Sequence, residues 1–250
     1  MNRKSNIRNL TSNNLQDYGF RVVGVPKSID NDLDFTDFTF GFLTAVHITS
    51  EALDRLHTTG TSHERVMILE VMGRNAGWIG LYSGMASGAN IILIPEIPFE
   101  YEKVKEFIEA RQARGRKSSL IVVSEGAIPK NGSLTIKDNM TNSSEVHLGG
   151  IGEELAKYLN QFEHLDARST TLGHIQRGGS PISIDRVLST RLGSGAAQLF
   201  IDQKWGKMVT YKDNDIHEIA ISDAVKNIKL VDPNSQIVKQ ARMVGIGFGD

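Results

Sequence analysis

The chain contains no cysteine, only two tryptophans and six prolines, and aromatic residues make up just 7% of it. Without thiols there is no disulfide, no thiolate metal site and no cysteine nucleophile. A membrane helix needs about 18 or more consecutive apolar residues, and no run approaches that. A surplus of either charge is also missing. With 28 Lys+Arg against 29 Asp+Glu the formal net charge is −1, which removes the simplest electrostatic case for a nucleic acid or an anionic membrane as partner. The polar start, Met1 to Asn14, offers no apolar core for a secretory signal, so the expected location is the cytoplasm. The seven histidines show no HExxH or other close ligand spacing, and a zinc site is not expected. There is no Walker-type phosphate loop and no GxGxxG fingerprint.

What is present fits a folded chain of 250 residues, 40% hydrophobic and 23% charged, in one to two domains at about 150 residues each. Many of the 24 glycines fall between periodic segments. Short β-branched runs over 20–26, 65–71, 90–94, 119–123, 169–172 and 207–211 predict strands. Between them, apolar residues spaced three and four apart predict helices over 42–57, 73–87, 101–114, 148–162, 184–201 and 219–228. The polar, turn-rich stretch 130–145 predicts an exposed loop or short hairpin. Strands alternating with long helices imply an α/β fold of doubly wound parallel sheets. In such sheets ligands collect beyond the carboxyl ends of the strands.

The residues at those ends form a coherent set: Lys27-Ser28-Ile29-Asp30-Asn31-Asp32, then Met72-Gly73-Arg74, then Glu125-Gly126, then His174-Ile175-Gln176-Arg177. Arginine forks and a histidine beside glycines suit clustered anionic oxygens such as a phosphate. Carboxylates beside them suit sugar hydroxyls, a divalent cation or a proton acceptor. Each residue also has a plainer reading. Asp30 and Asp32 fit a solvated Asx turn, Arg74 a helix start, His174 a bonded core histidine, and Gly178-Gly179 a simple turn. Taken together they point to a sugar-phosphate or phosphoryl-transfer site.

Four ordered motifs, PKSIDND at 26–32, TFGF at 39–42, ILEVMGRNAGW at 68–78 and LGHIQRGGSP at 172–181, resemble those of the 6-phosphofructokinases, as does the terminal VGIGFGD at 244–250. The resemblance implies roles residue by residue. Asp30 matches the base that takes the C1 hydroxyl proton of fructose 6-phosphate, and Asp32 the second carboxylate, associated with Mg2+ and the donor phosphates. Ser28 stands where the family usually has threonine. Arg74 matches the arginine that stabilises the transferring phosphoryl group, while Met72, Gly73 and Glu125 match sugar contacts. His174 and Arg177 match ligands of the 6-phosphate. Arg65 and Arg168 match arginines that reach this phosphate from a neighbouring subunit, which implies a homodimer or homotetramer. Lys27, glycine in the best-known bacterial ATP-using branch, leaves ATP and pyrophosphate both open as donor and slightly favours pyrophosphate.

The family's two donor-side glycine loops, GG-D/T-PG-N and GGxD/ExT/S, are not found before Phe20, and the stretch Asn13 to Phe20 resembles the tail of the helix that follows them. The resemblance therefore implies an incomplete donor lobe over 1–41 and 175–229, a fructose 6-phosphate lobe over 42–174 and 230–250, and residues 1–12 as an unrelated start, a truncation scar or an incorrect gene start. Two functions follow from this reading. One is a 6-phosphofructokinase with impaired turnover; the other is a sugar-phosphate-binding or regulatory relative without catalysis.

Overall fold

The computed structural model describes residues 15, 19–130, 132 and 149–250. In chain order its elements are β1 (Val23–Gly24), β2 (Lys27–Ser28), β3 (Phe40–Gly41), α1 (Phe42–His63), β4 (Val66–Val71), α2 (Trp78–Ala86), β5 (Ile91–Leu93), α3 (Tyr101–Ala113), β6 (Ser119–Ser124), α4 (Ile151–Leu159), β7 (Ala167–Thr171), a 3-10 turn (Gly173–Arg177), α5 (Ser183–Ile201), β8 (Lys207–Lys212), β9 (Asp215–Ala220), α6 (Ile221–Ala224) and α7 (Gln236–Met243). The chain divides into two compact units, Met1–Leu43 with Pro181–Lys229 and Thr44–Ser180 with Leu230–Asp250. Among the described residues no helix is long and apolar enough to cross a membrane.

The unit built on 44–180 holds four parallel strands in the order β5-β6-β4-β7. Every residue of β4 and β6 is buried, as a parallel sheet covered on both faces requires. On one face α2 packs against β5 and β6. Its glycines permit the close approach: a Cβ at Gly84 would lie 2.7 Å from the Ile92 side chain, and one at Gly80 would lie 2.8 Å from Ser124 Oγ. The main core, with Ile68, Leu93, Ile121, Ile108 and Leu155, gathers residues of the strands, α3 and α4. Helix α4 has no side-chain cap of its own. Instead the buried Glu70 of β4 accepts hydrogen bonds from the Gly150 and Gly152 amides, both at 2.9 Å, satisfying donors that a helix start leaves open.

The other unit carries a three-stranded sheet, β1-β8-β9, in which β1 runs parallel to β8 and β9 antiparallel to it. Leu188, Leu192 and Leu199 of α5 pack with Val209 of β8. Here the sequence expectation fails. The helix expected over 219–228 is confined to Ile221–Ala224, and Ile219 lies in strand β9. The cause is the Asp213-Asn214 pair, at φ 52° and 68°. Two consecutive left-handed residues give the twist that closes a two-residue hairpin, and short polar side chains tolerate that conformation. The expectation of parallel sheets thus holds for the four-stranded sheet and for the β1–β8 pair, and β9 departs from it.

Smaller differences follow from glycine. The helix expected from Gly73 begins only at Trp78, because Gly73 sits at φ 142° and the chain runs irregularly after β4. The strand expected over 20–26 is reduced to Val23–Gly24. Of the loop expected over 130–145, only Lys130 and Gly132 fall within the described residues.

Candidate active site

Strand β4 leads through α2 to β5 on one side of the sheet, while β6 leads through α4 to β7 on the other. The order β6-β4-β7 therefore sets three consecutive strand ends side by side at a topological switch point, where open α/β sheets bind ligands. Those ends carry Glu125-Gly126, Met72-Gly73-Arg74 and the 3-10 turn with His174 and Arg177. The first two are joined by backbone: the Glu125 amide donates to the Val71 carbonyl at 2.8 Å and the Gly126 amide to the Gly73 carbonyl at 3.2 Å. A Cβ at Gly126 would overlap the Arg74 carbonyl, and one at Gly73 would lie 3.1 Å from Ser124 Oγ. Only glycines let the two loops close this far.

Along this edge Arg74, His174 and Arg177 are exposed, and none forms an ion pair among the described residues. Met72 and Gly73 are buried and Glu125 is half-buried. The Met72 amide donates to Oε1 of Gln176 at 3.3 Å. The two arginines, without a counter-ion among the described residues and on a backbone fixed by buried bonds, provide charge for an anionic ligand.

In the other unit the loop that bears Asp30 and Asp32 is held by its own residues. Asn31 is buried at φ 53°. Its Oδ1 accepts from the Thr39 amide at 3.0 Å and its Nδ2 donates to the Asp37 carbonyl at 3.2 Å. The Thr39 hydroxyl donates to the Ser28 carbonyl at 2.6 Å. Ser28 Oγ in turn donates to Asp32 Oδ1 at 2.7 Å and accepts from the Asp30 amide at 3.1 Å. The buried asparagine thus anchors a turn that leaves both flanking aspartates partly exposed, and Lys27 at its start is exposed.

Lys229 supports the same loop from the far end of the unit. Its amide donates to the Asp32 carbonyl at 2.9 Å, and its Nζ donates to the carbonyls of Thr36 and Asp37 at 2.7 and 2.8 Å. Burial pushes the Lys229 ammonium down to about 8, against the opposing pull of Asp37 and Asp34.

Among the described residues no group of three or more His, Asp or Glu side chains forms a metal cage. Asp30 and Asp32 still present hard carboxylate oxygens on one short turn. Mg2+ commonly needs only one or two carboxylates alongside substrate phosphates, so the donor set fits that ion.

Arg65 and Arg168 lie elsewhere. They sit at the amino ends of β4 and β7, where Asp166 holds both: Oδ2 lies 2.6 Å from Arg65 Nε and Oδ1 lies 3.0 Å from Arg168 Nε. Seven residues of strand, at about 3.3 Å each, place Arg65 roughly 23 Å from Met72. Within one chain these two arginines and the His174–Arg177 turn face opposite edges of the sheet.

A family model described as phosphofructokinase matches residues 7–200. The chain belongs to the phosphofructokinase family. It is 47% identical over 234 residues to an ATP-dependent 6-phosphofructokinase of Clostridium perfringens, covering 93% of this chain and 64% of that one. It is also 50% identical over 218 residues to a pyrophosphate–fructose 6-phosphate 1-phosphotransferase of Streptomyces coelicolor, covering 87% of this chain and 64% of that one. The chain therefore spans just under two thirds of the length of these relatives. Among solved structures, a pyrophosphate-dependent phosphofructokinase from Marinobacter aquaeolei superposes with a TM-score of 0.73 at 26% identity, covering 95% of this chain and 60% of that one. One from Nitrosospira multiformis, at 22% identity, shares the fold with a TM-score of 0.77 over 96% of this chain and 61% of its own.

The structure brings Met72, Gly73, Arg74, Glu125, His174 and Arg177 to one edge of one sheet, and Lys27, Ser28, Asp30 and Asp32 to one loop. It sets Arg65 and Arg168 apart from the first group. Sequence reasoning gave no role to Asn31, Lys229, Gln176 or Asp166. For Asn31 a signal existed, since asparagine is enriched at left-handed positions. The others act through contacts between residues distant in the chain, which no local pattern reveals.

Proposed function

We propose that this chain acts on fructose 6-phosphate as a 6-phosphofructokinase, with ATP or pyrophosphate as phosphoryl donor, in the cytoplasm. The observation that carries this reading is the row of three neighbouring strand ends bearing Glu125, Arg74 and the His174–Arg177 turn, with both arginines free of ion pairs among the described residues. His174 and Arg177 bind the 6-phosphate, Glu125, Met72 and Gly73 contact the sugar, and Ser28 and Lys27 belong to the donor-side loop. Asp30 takes the proton from the C1 hydroxyl, whose oxygen then bonds to the terminal phosphorus as the donor oxygen leaves. Arg74 stabilises the charge on the transferring group; in phosphoryl transfer such positioned charge supplies most of the catalysis. Asp32 would hold Mg2+ together with the donor phosphates, where the ion neutralises their charge.

On this reading the unit with Asp30 is the donor side and the unit with His174 the sugar-phosphate side. Arg65 and Arg168, at the wrong edge for their own chain's 6-phosphate, complete the site of a neighbouring copy, as a two-fold interface permits. A second reading is sugar-phosphate binding without turnover, which needs the row of strand ends but not the Asp30–Asp32 loop.

Calorimetric titration with fructose 6-phosphate tests the binding half. Arg177→Ala should weaken it roughly tenfold to a hundredfold, the worth of a charge-assisted contact at about 1.5–3 kcal/mol. No binding by folded wild type, or equal binding by both proteins, sinks it. A turnover assay with Mg2+ and either donor then separates the two readings. If the chain turns over, Asp30→Asn should lower the rate about a hundredfold to ten-thousandfold with little change in sugar-phosphate affinity.

A further inference from the structure

Gln176 stands between two exposed residues, Ile175 and Arg177, yet is 1% exposed itself. Burying a primary amide costs free energy unless its hydrogen bonds are made, and here they are made to two different parts of the carboxyl edge. Oε1 accepts from the Met72 amide at 3.3 Å and Nε2 donates to the Gly173 carbonyl at 3.0 Å. The Thr49 hydroxyl of α1 lies 2.8 Å from the Ala45 carbonyl and a longer 3.4 Å from Oε1.

The position of these bonds along the sheet gives them meaning. The pairing of β4 with β7 runs from Val66↔Ala167 to Glu70↔Thr171, and the last backbone bond between them is the Leu172 amide to the Glu70 carbonyl at 2.9 Å. Beyond it the chain leaves β7 for the 3-10 turn, and no backbone of that turn bonds the Met72 amide. The Gln176 side chain supplies the next rung. It therefore ties the first residue of the Met72-Gly73-Arg74 loop to the turn that displays His174 and Arg177. A leucine or methionine would fill the same volume, but it would leave the buried Met72 amide unsatisfied and the two loops independent.

We propose that Gln176 is a positioning residue that fixes the spacing between the Arg74 loop and the His174–Arg177 turn, so that both engage one ligand together. The proposal rests on the sugar-phosphate reading of this edge for its ligand, but not for its geometry. A ligand that spans both loops depends on the spacing; one that touches only the turn does not.

The test compares fructose 6-phosphate with inorganic phosphate by titration of wild type and Gln176→Leu, alongside amide hydrogen exchange without ligand. Loss of one bridging polar side chain should weaken the sugar phosphate by roughly tenfold, while inorganic phosphate changes by less than about threefold. In the same variant the amides of Met72 and of residues 173–177 should exchange faster together, with β4 and β6 still protected. Equal loss of both ligands would mean that Gln176 merely folds the turn, and loss of neither would mean that it positions nothing; either overturns the proposal. Should wild type bind no sugar phosphate, the functional reading fails, and exchange alone decides: an unchanged Met72 amide overturns the spacing role, and joint loosening upholds it. If Gln176→Leu does not fold, Gln176→Asn keeps the amide but is one methylene too short to span both partners, and the same outcomes apply.

Discussion

At the carboxyl end of the four-stranded sheet Arg74 and Arg177 stand exposed without an ion pair among the described residues, whereas at the amino end Arg65 and Arg168 share the carboxylate of Asp166. Both ends belong to the same strands, so the contrast reflects the residues placed there and not the fold. An unneutralised pair gains the whole Coulomb attraction of an incoming dianion. A pair that already shares a carboxylate gains only the difference between that partner and the new one. On the proposed reading, the carboxyl end is therefore charged in advance for a phosphate bound within the same chain. At the amino end an incoming anion must compete with Asp166 for both arginines.

The harshest way to break this contrast is to disturb the backbone that presents the carboxyl-end cations. Gly126→Ala places a methyl group against the Arg74 carbonyl, and backbone cannot rotate aside as a side chain can. Overpacking costs about 1–3 kcal/mol, and this position belongs near the top of that range. A loss near 3 kcal/mol corresponds to a melting temperature roughly 6–12 °C lower for a chain of this size. Fructose 6-phosphate binding should vanish with it, because the methyl displaces the Arg74 loop itself. An unchanged melting curve would show that the loops are not as close as the structure has them.

The strands at that end, though not their order, were open to sequence reasoning because parallel strands and the glycines after them leave local marks. The stretches 66–69 and 120–123 are apolar throughout, and Gly73 and Gly126 follow a few residues later. Which edge is the candidate site follows from the alternation of strands and helices, because ligands of such sheets collect beyond the carboxyl ends. What could not be seen lies in couplings across the chain: Glu70 capping α4 some eighty residues away, Gln176 reaching Met72, and Asp166 gathering two arginines. Strand β9 was missed for a different reason. Ile216 and Ile219 fit a helical spacing, and only the Asp213-Asn214 turn distinguishes a hairpin from a helix there.

A gentler comparison sets the carboxylates of the two ends against each other. Glu96, just beyond β5 at the carboxyl end, accepts from the Gly77 amide at 3.0 Å and the Val231 amide at 2.9 Å. Burial raises its carboxyl above the ordinary range, and these backbone bonds only partly offset that. The folded state then holds the proton more tightly than the unfolded state. Its contribution to stability is fully present below the ordinary carboxyl value, about 4.3, and is lost as pH rises through the raised folded value. Glu96→Gln keeps an acceptor and cannot titrate. Denaturant unfolding at pH 4 and pH 7 should therefore show wild type losing stability relative to the variant as pH rises. The opposite trend would mean that the two backbone bonds outweigh burial.

The smallest expected effect on stability is at the amino end, and it is the most informative about the contrast. Asp166 and its two arginines are all substantially exposed, with 43% of the aspartate side chain open to solvent. Exposed ion pairs contribute about 0.2–1 kcal/mol each because water screens them, so Asp166→Asn should lower the melting temperature by only a few degrees. Asparagine keeps the shape but gives up the charge, so Arg65 and Arg168 are left as unneutralised as Arg74 and Arg177 are in the wild type. Inorganic phosphate should then raise the melting temperature of Asp166→Asn more than that of wild type, by mass action on a strengthened anion site. Adding Arg65→Ala should abolish the extra shift while leaving the carboxyl-end response intact. If phosphate stabilises Asp166→Asn no more than wild type, the shared carboxylate is not what distinguishes the two ends. If Asp166→Asn instead unfolds, Asp166 is a structural clamp between β4 and β7, and the arginines are its anchors, not a phosphate fork held in reserve.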